Sequence, residues 1–157
     1  MVHYLIGIHA ALGELGAIAF LWILIELLNP TNDRIKRIKV ISLIGVVLLF
    51  LSWFTGGYYY VTLYGSNVKP IIKEGPQPWA HSIFMETKEH VFLFLPFLSL
   101  FTYFIIKKYE KNIIKDKKIR KSIISLCLII FLLALAIGAM GYLISTGARA
   151  GLEAKVL

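Results

Sequence analysis

Residues 81–106 read HSIFMETKEHVFLFLPFLSLFTYFII and contain the transition that decides the fold. Polar residues, among them two histidines, two glutamates and one lysine, lead directly into an apolar run at positions 90–106. A run of this length and hydropathy is typical of a membrane-spanning helix. Ionisable groups at the boundary of a span are costly unless they are paired or ligated, so the stretch predicts a functional site at this end of the span.

Three further apolar runs, at positions 4–28, 40–63 and 122–146, are also long enough to cross a bilayer. Hydrophobic residues make up 58% of the 157 residues, whereas a soluble domain is about 45–50% apolar. The chain is therefore predicted to be all-α and to form one integral membrane four-helix bundle over residues 1–157. The N-terminus lacks the basic segment of a signal peptide, so the first helix is expected to remain in the mature protein.

Basic residues are concentrated in two of the three connections between these runs. Connection 107–121 carries eight Lys and Arg residues and connection 29–39 carries four, whereas connection 64–80 carries two. The positive-inside rule then places the two basic connections in the cytoplasm and both termini on the outer side. We therefore predict a multi-pass protein of the plasma (inner) membrane. The same asymmetry accounts for most of the net charge of +8, and no nucleic-acid partner is predicted.

Helix geometry predicts that all four histidines lie in the outer half of the bundle, in two tiers. A rise of ~1.5 Å per residue from the cytoplasmic end places His9 at roughly 29 Å and His90 at roughly 25 Å. By the same measure His3 and His81 lie at roughly 38 Å, at the outer surface. The glycines of the other two helices fall at the level of the deeper tier: Gly56, Gly57, Gly138 and Gly141.

Two histidines at one depth, with glycines beside them, match the requirements of a b-type haem. Its iron takes two axial imidazoles, and its flat macrocycle packs on helix faces without side chains. In helix number and histidine placement the chain resembles the four-helix membrane b-type cytochromes. Di-haem members of that class hold haems at both membrane faces, whereas the cytoplasmic half of this chain has no histidine.

We accordingly predict one haem b, or two. His9 and His90 are expected to be the axial pair, with His3 and His81 as the reserve pair. The macrocycle is expected to pack on the glycines and its propionates to bind basic residues near the outer rim. The residues assigned to these two roles are Gly57, Gly138, Lys88 and Arg149.

Other roles for the same residues stay open. Glu86 precedes His90 by four residues and shares its helix face. It could tune a ligand imidazole through a hydrogen bond, or it could join His9, Glu14 and His90 in a zinc, iron or copper site. The outer-tier histidines could simply be solvated at the membrane boundary. The glycines could equally serve close helix packing.

Three function classes follow from these residues. The first is electron transfer between quinol and an outer-side acceptor, alone or as a respiratory-complex subunit, with Trp79, Arg149 and the tyrosines after Gly57 lining a quinone pocket. The second is an accessory or assembly subunit that binds partner helices or a second copy of the chain. The third is a membrane enzyme that depends on a histidine and carboxylate metal site. Whether the protein is an enzyme is left open.

Overall fold

Four long helices dominate the structure, a computed structural model that describes the backbone of residues 2–155 and the side chains of residues 4–155. The α-helices are α1 (Val2–Leu28), α2 (Asn32–Tyr59), a short α3 (Lys69–Glu74), α4 (Glu86–Tyr109) and α5 (Lys117–Ala154). The described residues also form two π-helical segments. Tyr60–Val68 directly follows α2, and Ala80–Met85 directly precedes α4. The described residues contain no strand, which confirms the predicted all-α class.

Each long helix packs against two neighbours, so the bundle is a ring in the order α1, α2, α4, α5. In this ring α1 lies diagonal to α4, and α2 lies diagonal to α5. Inward-pointing side chains form one large apolar core, and the outer surface also exposes many Leu, Ile and Phe side chains. An apolar outer surface of this extent is typical of contact with lipid. Within the described chain, four helices are long and apolar enough to cross a membrane, as predicted.

The second long helix begins earlier than its apolar run because its first turns are amphipathic. The Thr31 hydroxyl caps α2 by accepting a hydrogen bond from the backbone N–H of Arg34 at 3.3 Å. Ile35 and Ile38 are then buried against the core, while the basic residues between them are exposed. Most of connection 29–39, which the sequence predicted to be a loop, is therefore helical.

Residues 60–85, which include the predicted loop 64–80, are mostly helical and cross over one end of the bundle. Both α3 and the second π-helical segment pack against α5, the helix diagonal to α2. The approach is close: a Cβ added to Gly147 would lie 2.6 Å from the Ala80 Cβ, and one added to Gly75 would lie 2.8 Å from the Gly151 Cα. We call this end of the bundle the π-helical end, and we call the opposite end, which carries the basic connections, the basic end.

A buried carboxylate ties α1 to α2 at the basic end. Glu26 is 9% exposed, and the guanidinium of Arg37 donates to both of its carboxylate oxygens at 3.1 Å. Arg34 lies 3.3 Å from the same carboxylate, and the Trp22 indole N–H donates to it at 3.2 Å. Because every partner lies on the same helical hairpin, we assign Glu26 a structural role, in which its burial is compensated by paired charge.

Candidate functional site

A buried hydrogen bond joins the two π-helical segments. Tyr64, on the first segment, is 1% exposed and His81, on the second, is 2% exposed. The Tyr64 hydroxyl and Nδ1 of His81 lie 2.9 Å apart, and Nε2 of His81 lies 4.0 Å from a carboxylate oxygen of Glu86. Because Nε2 faces a carboxylate, we assign the ring proton to Nε2, so that the Tyr64 hydroxyl donates to Nδ1.

Local sequence positions both partners of this bond. Pro78 starts the second π-helical segment, since its carbonyl accepts from the backbone N–H groups of His81 at 3.1 Å and Ser82 at 3.2 Å. On the first segment, Tyr60 and Tyr64 are one turn apart and their rings stack, with centroids 5.5 Å apart and 21° between the planes. Turns of π-helix are rare and are frequent at functional sites.

Glu89 completes this group of polar residues. Its carboxylate faces the Tyr60 hydroxyl, and its Oε1 is buried without a hydrogen-bond partner among the described residues. A buried acceptor without a partner is costly, so this oxygen is a candidate for the chemistry of the site. We use the name polar cluster for Tyr60, Tyr64, His81, Glu86 and Glu89.

The polar cluster runs from the surface into the interior. The Glu86 side chain is 61% exposed, whereas the His81 side chain beside it is 3% exposed. Histidine and carboxylate side chains in such a row can accept and release protons in turn. The arrangement therefore places a buried histidine between the buried Tyr64 hydroxyl and an exposed carboxylate.

His9 lies nearer the middle of the bundle and faces inwards. Its Nδ1 is 2.8 Å from the Ser52 carbonyl oxygen, and the Ser52 hydroxyl donates to the His9 carbonyl at 2.9 Å. Because that hydroxyl proton is already used, Nδ1 carries the proton of the ring and Nε2 keeps a lone pair. The ring packs edge-on against Phe92 and fills the space over Gly56, where an added Cβ would lie 2.7 Å from it.

His90 points away from this interior site. Residues two apart on an α-helix project about 200° from one another, and His90 is exposed while Phe92 packs against His9. Nδ1 of His90 donates to the Glu86 carbonyl oxygen at 2.7 Å. The described conformation therefore does not bring His9 and His90 together, and their axial pairing stays a prediction.

The other predicted cofactor-binding residues are spread over the π-helical half of the bundle. Lys88 reaches towards α5, where its Nζ would lie 3.1 Å from a Cβ added to Gly141. None of the described atoms would lie within 4 Å of a Cβ added to Gly57 or Gly138, and Gly138 is exposed on the outside of the bundle. Arg149 is also exposed.

In the described conformation, the His9 ring faces the interior and fills the space over Gly56, whereas His90 is exposed. The predicted haem is not tested by these positions and stays a prediction. The side chain of His3 lies outside the described residues, so its pairing with His81 stays a prediction. Among the described residues, no three His, Cys, Asp or Glu side chains form a group that could hold a metal ion.

The partners of the buried residues could not be predicted from the sequence. The sequence predicts that the tyrosines line a quinone pocket, but no local pattern pairs Tyr64 with His81, which is 17 residues away. Two signals in the sequence mark this region: the ionisable residues of positions 81–90, and the run of tyrosines after Gly57 that is followed by a proline-rich segment.

The fold and the composition define a helical protein whose described residues include four helices that are long and apolar enough to cross a membrane. No family model, no curated protein and no solved structure matches the chain.

Proposed function

We propose that this protein works in membrane electron transfer, where it binds quinol at the π-helical end and accepts the protons that quinol releases on oxidation. The observation that carries the proposal is the buried hydrogen bond between Tyr64 and His81, with the Glu86 carboxylate 4.0 Å from the His81 ring and the Glu89 carboxylate near Tyr60. Each hydroxyl of a quinol loses a proton when the ring is oxidised. A histidine and carboxylates at the end of an apolar bundle supply acceptors for those protons.

Within the cluster, we assign proton acceptance to Glu89 and proton exit to His81 and Glu86. Glu89 has a buried carboxylate oxygen that no described group binds, so a quinol hydroxyl would give it the missing partner. His81 is buried next to the exposed carboxylate of Glu86. A proton on the His81 ring can therefore leave to the surface through Glu86.

The electrons released by quinol need an acceptor, so we propose that the chain works within a membrane complex. Two ionisable residues on the outer surface of the bundle support the presence of a partner protein. Glu14 on α1 and His90 on α4 are exposed within apolar spans. Such side chains are costly in contact with lipid and normally face protein or water. The same two residues favour the second candidate, an accessory subunit without a cofactor that binds partner helices or a second copy. Haem b remains a prediction, and no step is assigned to it.

We propose that the π-helical end faces outwards and the basic end faces the cytoplasm. The distribution of Lys and Arg supports this orientation. In a Cys127→Ala background, Ser66→Cys in intact cells should react with a membrane-impermeant maleimide, whereas Lys115→Cys should react only after permeabilisation. Both positions are exposed. Labelling of Lys115→Cys alone in intact cells would reverse the orientation.

Quinol binding is expected to depend on Glu89. Wild-type protein in phosphatidylcholine nanodiscs, titrated with a decyl-chain benzoquinol, should show saturable quenching of tryptophan fluorescence. Glu89→Gln keeps the shape of the side chain and removes its charge. Hydrogen bonds to charged groups contribute about 1.5–3 kcal/mol, so the apparent Kd should rise about tenfold or more.

Glu153→Gln is the matched control for this titration. It removes the same charge from an exposed carboxylate on α5, outside the polar cluster, and should leave the Kd within about twofold of wild type. A wild-type protein without saturable binding would contradict the proposal. An equal rise in Kd for the two variants would also contradict it, since the effect would then follow net charge.

A further inference from the structure

A groove of about 380 Å³ runs between α4 and α5 at the basic end. Its walls are two rows of residues spaced four apart, which lie on one face of each helix. The rows are Phe101, Ile105 and Tyr109 on α4, and Lys118, Ser122 and Leu126 on α5. The groove is therefore polar where the helices meet the basic connection and apolar towards the middle of the bundle.

Positive charge collects at the polar mouth of the groove. Lys118 lines it directly, and Nζ of Lys108 lies 5.3 Å from the ring centroid of Tyr109, another lining residue. Neither lysine forms an ion pair with a described residue. The groove is thus lined by Lys118 and Tyr109, and the Lys108 ammonium group lies beside the Tyr109 ring.

The two carboxylates of connection 107–121 bind groups other than the ammonium groups of Lys108 and Lys118. Asp116 caps α5, accepting from the backbone N–H groups of Lys118 at 2.8 Å and Ile119 at 3.2 Å. Glu110 pairs with Lys39 of α2, and this ammonium holds the pKa of the Glu110 carboxyl below its usual value. The charge of the lysines at the mouth is therefore available to an external anion.

We propose that this groove binds one anionic phospholipid from the leaflet at the basic end. The phosphate would contact Lys118, Lys108 and the Tyr109 hydroxyl, and an acyl chain would lie along Phe101 and Leu126. The groove has the polarity profile of a lipid, a charged end followed by an apolar length. A free phosphate would use only the mouth and leave the apolar walls uncovered.

Native mass spectrometry of the full-length protein, released from micelles with phosphatidylglycerol or phosphatidylcholine, tests the proposal. Wild type is expected to retain one phosphatidylglycerol in preference to phosphatidylcholine. Lys118→Gln should lower that retention about fivefold, as expected for one basic residue near a lipid headgroup. Lys117→Gln removes the same charge from an exposed neighbour that does not line the groove, and its retention should match wild type.

Leu126→Trp should block the acyl length of the groove, and it should abolish retention without changing the charge. Circular dichroism of this variant shows whether it folds, and Lys118→Gln, at an exposed position, tests the site independently of that result. Equal loss in Lys117→Gln and Lys118→Gln would overturn the proposal, since binding would then follow net charge. Equal retention of the two lipids would overturn it too. Displacement of the lipid by millimolar inorganic phosphate would assign the mouth to free phosphate instead.

Discussion

Gly56→Ala is expected to destabilise the protein by about 1–3 kcal/mol, the usual cost of overpacking an interior. The added Cβ would lie 2.7 Å from the His9 ring and 3.2 Å from the Phe92 ring. The His9 ring cannot swing away freely, because the Ser52 carbonyl holds its Nδ1 at 2.8 Å. Gly57→Ala is the matched control. None of the described atoms would lie within 4 Å of its Cβ, so it should be neutral or stabilise the helix by up to about 1 kcal/mol.

Equilibrium unfolding in mixed micelles, followed by circular dichroism, measures this difference between adjacent glycines. Equal stability of the two variants would mean that His9 does not occupy the space over Gly56. A third variant, Gly57→Leu, addresses the haem prediction in the same experiment. If a macrocycle packs on Gly57, this variant should lose haem absorbance while the bundle still folds. A wild-type spectrum without haem, or one unchanged in Gly57→Leu, would show that the predicted haem site is wrong.

Gly151→Ala is expected to lower the free energy of unfolding by about 1–3 kcal/mol, because its Cβ would meet backbone. The added atom would contact the Ile71 carbonyl oxygen and would lie 2.9 Å from the Ile71 Cγ2. A backbone carbonyl in α3 cannot move unless the segment that crosses the bundle end moves with it. Gly138→Ala, at an exposed position with no described atom within 4 Å, should be neutral or slightly stabilising.

Limited proteolysis adds a local readout to the unfolding measurement for these two variants. If Gly151 holds residues 60–85 against α5, Gly151→Ala should speed cleavage near Pro76, whereas Gly138→Ala should leave the rate unchanged. Equal stability and equal cleavage rates in the two variants would show that the close approach of Ile71 to Gly151 does not secure the crossing segment.

The number and class of the helices could be read from the sequence because hydropathy over about 20 residues is a local property. The ends of the helices could not be read in the same way. Connection 29–39 looks like a loop by charge, yet Ile35 and Ile38 recur at helical spacing and are buried in α2. Crossing of the bundle end by residues 60–85 depends on close contact with Gly147 and Gly151, far away in the chain.

The height of a residue along the bundle could be predicted in part from the sequence. Whether its side chain faces the interior or the outside could not. A rise of ~1.5 Å per residue places His9 and Gly56 at similar heights, and the two residues are in contact. A span that is apolar on all sides has no stripe that marks its inner face. For that reason the sequence could not show that His9 faces the interior while His90 faces outwards.

The sequence by itself determined an all-helical chain with four apolar spans and a strong asymmetry of basic residues. Only the tertiary structure decided which side chains share a site. Tyr64 meets His81 because two π-helical segments cross one end of the ring, and Glu26 is paired because the first turns of α2 fold back along α1. These contacts depend on how helices pack around the ring, and packing order is a property of the whole chain that no local pattern encodes.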